Sequence, residues 1–171
     1  MLHQRKNMRK IRQVNQQTSR RILLIDDEIN PGAKEPDMDY MWHYAKALEE
    51  AGHTVTAVNR ADDALNKLKS KKNQFSLVVL DIMMPPGREL ARESHLKGMR
   101  TGIYLALRLS EEYPKLPVVI LTNSRDPEIQ RRLGNIKSIK AILWKDLMTP
   151  SQFVESVIPL VGGSDVDLEK P

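Results

Sequence analysis

Five apolar runs, each followed by a stretch of helical periodicity, decide most of what this chain can fold into. The runs are "RILLID" (21–26), "HTVTAVN" (53–59), "SLVVLD" (76–81), "PVVILTN" (117–123) and "KAILWKD" (140–146). Leu77, Val78, Val79 and Leu80 form a short unbroken apolar run with β-branched members and turn residues beyond it. Such a run suits a parallel strand buried on both faces. Helices are expected over 39–52, with Met41, Ala45 and Leu48 inward and Gly52 as terminator, and over 61–70, with Ala61, Ala64, Leu65 and Leu68 on one face. Three more are expected over 100–113, over 126–136 with Asp126 as N-cap and Pro127 in the first turn, and over 149–163 with a Thr-x-x-Gln capping box. Strict strand–helix alternation through short connections gives an α/β domain with a parallel sheet and helices on both faces. At 171 residues the chain suffices for one such domain and not for two.

Composition narrows the chemistry. There is no cysteine, so disulfides and thiolate metal sites are excluded, in keeping with a cytoplasmic location. No apolar stretch approaches the ~20 residues that span a bilayer, so no membrane insertion is expected. The net charge of +5 is misleading until it is located. Residues 1–21 hold seven of the 27 Lys and Arg and none of the 22 Asp and Glu, so the remainder carries −2. Residues 1–20 therefore read as a basic solvated tail ahead of a domain at 21–163, with an acidic tail at 164–171. Specific DNA binding by the folded body is not expected. No Walker loop is present, and no G-x-G-x-x-G follows a strand, so nucleotide-binding folds lose their main signature.

In a parallel sheet all strand C-termini share one rim, where open α/β folds hold their ligands. The first strand delivers Asp26, Asp27 and Glu28 to that rim, and the third delivers Asp81. The fourth delivers Thr122 and Asn123, and the fifth Lys145 and Asp146. Carboxylates held close together repel one another, and a hard cation such as Mg2+ relieves the repulsion through oxygen ligation. A carboxylate beside such a cation is also a competent nucleophile toward phosphorus, with an ammonium and a hydroxyl left to meet the phosphoryl oxygens.

The composite "LLIDDE … LVVLDIMMP … VVILTN … ILWKD" resembles the receiver domain of bacterial two-component response regulators, over residues 21 to about 163. The resemblance implies a flavodoxin-like sheet of order 2-1-3-4-5. It implies Asp81 as phosphoacceptor and Asp26, Asp27, Asp81 and the backbone carbonyl of Met83 as the Mg2+ site. Thr122 and Lys145 then contact the phosphoryl group, with Glu28 and Asn123 close by. It further implies a histidine kinase or phosphotransfer protein as donor, a downstream protein partner, and a stand-alone signalling role with no enzymatic activity beyond self-phosphorylation and slow self-dephosphorylation. The Lys145 ammonium is expected to lack a phosphate partner before transfer, so that its removal leaves metal binding intact.

The chain also departs from the family pattern. The segments 29–38 and 85–100 are longer than the usual loops and both leave the reactive rim, so they are expected to cover it or present a partner surface. Asp146 replaces the proline that typically follows the lysine. Asn123 replaces a small residue. Ile142 occupies the usual aromatic switch position, with Trp144 in the other register, so a smaller conformational response than usual is expected. Two alternatives remain open. One is a receiver-like protein-interaction module not switched by phosphate. The other is an aspartyl phosphatase, which would usually carry a second acid where Met83 stands. The basic residues Arg88, Arg92, Lys97 and Arg100 read as a solvated face, and His43 and His95 as incidental.

Overall fold

The computed structural model describes residues 19–31, 40–70, 72, 74–85, 87–88 and 101–161. Five strands, β1 (Arg21–Ile25), β2 (Thr54–Val58), β3 (Leu77–Leu80), β4 (Val118–Thr122) and β5 (Ile139–Trp144), form one sheet in the order β2-β1-β3-β4-β5. Every neighbouring pair is parallel. Among the described residues, five α-helices alternate with them: α1 (Tyr40–Glu50), α2 (Ala61–Lys69), α3 (Thr101–Glu112), α4 (Pro127–Gly134) and α5 (Pro150–Val157). This is the flavodoxin-like order expected. None of the helices among the described residues is long and apolar enough to cross a membrane.

The inner strands β1, β3 and β4 read as continuous apolar runs because both their faces are covered, whereas the edge strand β2 alternates, and the twofold alternation survives in where each residue packs. Leu23, Ile25, Val78, Leu80, Val118 and Ile120 join one buried cluster with α2, α3 and α4. Ile22, Leu24, Leu77, Val79, Val119 and Leu121 join the other with α1 and α5. β3, buried throughout, is the centre of the sheet.

The helix ends follow local chemistry. α1 stops where Gly52 turns to φ 92°, a left-handed conformation that costs glycine little, with the Gly52 and His53 amides donating back to Glu49 and Leu48. Asp126 caps α4 by accepting the Glu128 amide at 2.8 Å, and Thr149 and Gln152 form the expected capping box of α5. α5 is shorter than the 149–163 expected. Pro159, lacking an amide hydrogen, ends it at Val157, and Ile158–Leu160 continue as a tighter 3-10 turn. β5 also stops short of residue 146. Lys140 is an extra residue in β5, bulged opposite the step from Val118 to Val119 of β4, and Lys145–Leu147 form a 3-10 turn with no cis peptide among the described residues. Residues 1–18 and 162–171, 32–38 of the first long segment, and most of 85–100 lie outside the described residues, so the readings made for them do too.

Candidate phosphoryl-transfer site

The sheet brings the sequence-nominated carboxylates to one point. The Asp26 amide donates to the Val58 carbonyl and the Asp81 amide to that of Ile25, so both acids continue the parallel ladder one residue past the strands. Their side chains consequently emerge side by side at the C-terminal rim. Asp26 is 1% exposed and Asp81 4%, while Asp27 is exposed. Carboxylate oxygens of Asp26, Asp27 and Asp81 all lie within 4.8 Å of one another.

The buried acids are only partly neutralised. Asp81 Oδ1 accepts the amides of Ile82 (2.6 Å) and Met83 (3.2 Å), and Asp26 Oδ1 accepts that of Glu28 (3.0 Å). Lys145, 2% exposed, places Nζ 2.7 Å from Asp26 Oδ2, 2.9 Å from Glu28 Oε2 and 3.1 Å from Asp81 Oδ2. The ammonium, expected only to lack a phosphate partner, is thus already engaged by carboxylates, because a lysine this deeply buried must be compensated by nearby charge. Burial works against its protonated form, yet the Asp26 and Asp81 carboxylates outweigh burial and raise its pKa. Burial pushes the Asp26 carboxyl up to about 7, Lys145 opposing and Asp81 reinforcing the rise. Asp27 is raised by burial and by the Asp81 charge. Four carboxylates facing one ammonium, two of them buried and crowded, fit a divalent hard cation. Asp26, Asp27 and Asp81 supply the oxygen donors such an ion takes.

The remaining nominated residues fall around this centre. Thr122, 1% exposed, ends β4, and its Oγ1 accepts the Ser124 amide at 3.2 Å. Asn123 turns outward, where its Oδ1 accepts the Asp146 amide at 3.2 Å and ties the end of β4 to the turn after β5. Asp146 itself pairs with Arg125 at 2.6 Å on the surface. Met83 is half-buried behind Asp81, held by its own amide. The long segment after Asp81 starts against α2, where the Asp62 carboxylate accepts the Arg88 amide at 2.6 Å.

One reading of β5 needs correction. Ile142 and Trp144 were assigned to different registers, but residues two apart on a strand share a face. Ile142 pairs with Ile120 and packs in the same cluster, and Trp144 pairs with Thr122. The indole therefore lies on the same face as Ile142, two residues closer to the rim.

Sequence reasoning missed three contributors. Gly102, in the first turn of α3, lies so close to the backbone of Asp81 and Ile82 that a Cβ would collide with both, and its amide donates to Ile82 O at 3.2 Å. A lone glycine inside an otherwise helical run was the available signal. Tyr40 and Tyr44 of α1 reach across to the turn that carries Lys145. Their i, i+4 spacing was visible, but the inward face had been assigned to Met41, Ala45 and Leu48. Tyr44 is the buried member and Ala45 only partly so.

Comparison with solved structures gives the same architecture. A CheY-like response regulator receiver domain from Methanospirillum hungatei JF-1 matches with a TM-score of 0.62 at 20% identity, over 84% of this chain and 94% of its own. The receiver domain of NtrX from Brucella abortus matches with 0.60 at 21% identity, over 84% and 99%. A BeF3-activated DrrB receiver domain matches with 0.60 at 19% identity, over 84% and 98%. No protein-family model matches the sequence, and no curated protein does. At these identities the likeness establishes the fold: this chain has the receiver-domain fold.

Proposed function

We propose that this receiver-fold chain accepts a phosphoryl group on Asp81 and signals through protein contacts. The observation that carries the reading is the convergence of Asp26, Asp27 and Asp81 with Lys145 Nζ on Asp81 Oδ2. Asp26, Asp27, Asp81 and the Met83 carbonyl would hold Mg2+, which supplies charge neutralisation to the incoming phosphoryl group. An Asp81 carboxylate oxygen attacks phosphorus in line. The new O–P bond forms as the bond to the donor's leaving atom breaks, and the leaving group departs with that electron pair. Lys145 exchanges its contact with Asp81 for a phosphoryl oxygen, and the Thr122 hydroxyl donates to another. The donor is a histidine kinase or phosphotransfer protein, and the output is a downstream protein in the cytoplasm rather than DNA. No catalytic turnover of a separate substrate belongs to this reading, beyond self-phosphorylation and slow self-dephosphorylation.

Intact mass after incubation with a small acyl phosphate tests it. The chain should gain one phosphoryl group with Mg2+ and none after chelation, and Asp81→Asn should gain none while remaining folded. If the parent gains nothing from a small donor or from a panel of histidine kinases, the interaction-module reading takes its place.

A further inference from the structure

The turn after β5 delivers Lys145 to the acids, and two phenols hold that turn. The backbone leaves β5 extended at Trp144, coils through Lys145–Leu147 and is extended again at Met148. Tyr44 Oη lies 2.8 Å from the Met148 carbonyl and 3.0 Å from that of Lys145, and Tyr40 Oη lies 3.1 Å from the Lys145 carbonyl. The two hydroxyls are 3.0 Å apart. Each phenol has a single proton to donate, so two protons face two carbonyls. Both carbonyls receive a phenolic donor only when both tyrosines are present.

The pair is rigidly mounted. Tyr44 has no exposed surface and packs edge-on against Phe153 of α5, with ring centroids 5.3 Å apart. Tyr40 stacks edge-on to Tyr44 at 5.4 Å and is half-exposed. Burial, then the Tyr40 hydrogen bond, raise the Tyr44 pKa, so its hydroxyl remains a donor across the physiological range.

We infer that Tyr44, assisted by Tyr40, is a positioning residue for Lys145. Bound to the carbonyl of the residue whose ammonium meets Asp81, the phenols fix where Nζ arrives. No proline or cis peptide does so in this turn. The inference rests on the proposed role of Lys145, since a misplacement of about 1 Å is enough to cost a transfer step heavily.

Two measurements on the full chain test it. The first follows acylation of the Lys145 amine by an N-hydroxysuccinimide ester, read by peptide mass, and requires no phosphorylation. Tyr44→Phe, which keeps the ring on Phe153, should raise the Lys145 rate about five- to tenfold, the yield of one lost hydrogen bond. Rates at exposed lysines such as Lys140 should not change. The second follows phosphorylation by a small acyl phosphate. Tyr44→Phe should slow it several-fold beside Lys145 and change nothing in a Lys145→Met background. If Tyr44→Phe fails to fold, Tyr40→Phe, whose ring is half in solvent, carries both measurements. Unchanged acylation, or equal slowing with and without Lys145, overturns the inference. A parent that takes no phosphoryl group sinks the proposed function instead, and the acylation result still decides the positioning role.

Discussion

Replacing Lys145 by methionine should both weaken the metal-free fold and tighten cation binding, where the sequence led us to expect metal binding left intact. The substitution keeps an apolar stem and removes the charge 2.7 Å from Asp26 and 3.1 Å from Asp81, both at most 4% exposed. Breaking a buried ion pair by deleting one partner costs about 3–5 kcal/mol, because the other charge remains buried. For a domain of this size each kcal/mol moves the melting midpoint by roughly 2–4 °C, so a fall of roughly 6–20 °C follows. The measurement belongs in a chelator as a function of pH, starting from pH 8, above the value of about 7 to which the Asp26 carboxyl is raised in the parent. Without the opposing Lys145 charge that carboxyl rises further, so the loss should widen as pH increases. The second effect comes from the same charge. A unit charge ~4 Å away is worth about 4 kcal/mol per unit charge at an effective dielectric of ~20. Even a fraction of that left after relaxation tightens Mg2+ binding about ten- to a hundredfold. Calorimetric titration with Mg2+ reads it directly. An unchanged midpoint without metal, or an unchanged Mg2+ affinity, would show that Lys145 does not neutralise the buried acids.

Two further outcomes follow from packing and titration. Gly102→Ala should destabilise the domain by about 1–3 kcal/mol, since the new Cβ meets the Asp81 and Ile82 backbone rather than a flexible side chain, and it should disturb Asp81 reactivity as well; thermal melting beside phosphorylation rate checks both. His53 is 6% exposed, and neither ring nitrogen has a hydrogen-bond partner among the described residues. Burial, with Arg20 nearby, lowers its pKa from 6.5, so below that pH the unfolded chain binds a proton the folded chain refuses. The contribution of His53 to stability should therefore fall as pH drops beneath 6.5 and rise with pH through that window, against the opposite contribution of the raised Asp26 and Asp27 carboxyls. Urea midpoints in His53→Leu should lose this slope, and a parental slope retained in the variant would assign it elsewhere.

What could be read from the sequence was what repeats or stands at a strand end. The parallel sheet and the convergence of Asp26, Asp27, Asp81, Thr122 and Lys145 on one rim come from periodicity plus parallel topology, which align all strand ends without knowledge of any contact. Both helix caps come from their local motifs, and the strand order came only from the resemblance to receiver domains. The helix after β5 was overextended because its apolar pattern continues past Pro159, and only the missing amide stops it. The partners of Lys145 were missed because pairing depends on burial, which a strand-end position does not reveal. Tyr44 was missed for a different reason. Its ring serves the core and its hydroxyl serves a turn about a hundred residues away, and helical periodicity registers only the first.

The β4–β5 pair shows how a small register error becomes an error about mechanism. Reading Trp144 as facing away from Ile142 left the switch face without a ring, and the expectation of a muted response rested on that. The pairing of Thr122 with Trp144 and of Ile120 with Ile142 places the indole on the face in question, directly across from the hydroxyl proposed to meet the phosphoryl group. Its Nε1 is buried without a hydrogen-bond partner among the described residues, and the side chain as a whole is half-buried. A buried N–H in that condition is costly to leave unmet, so a rearrangement that gave it an acceptor would be favoured. The aromatic group on this face is therefore displaced by one strand pair toward the site, and Ile142 alone gives no ground for expecting a weak response.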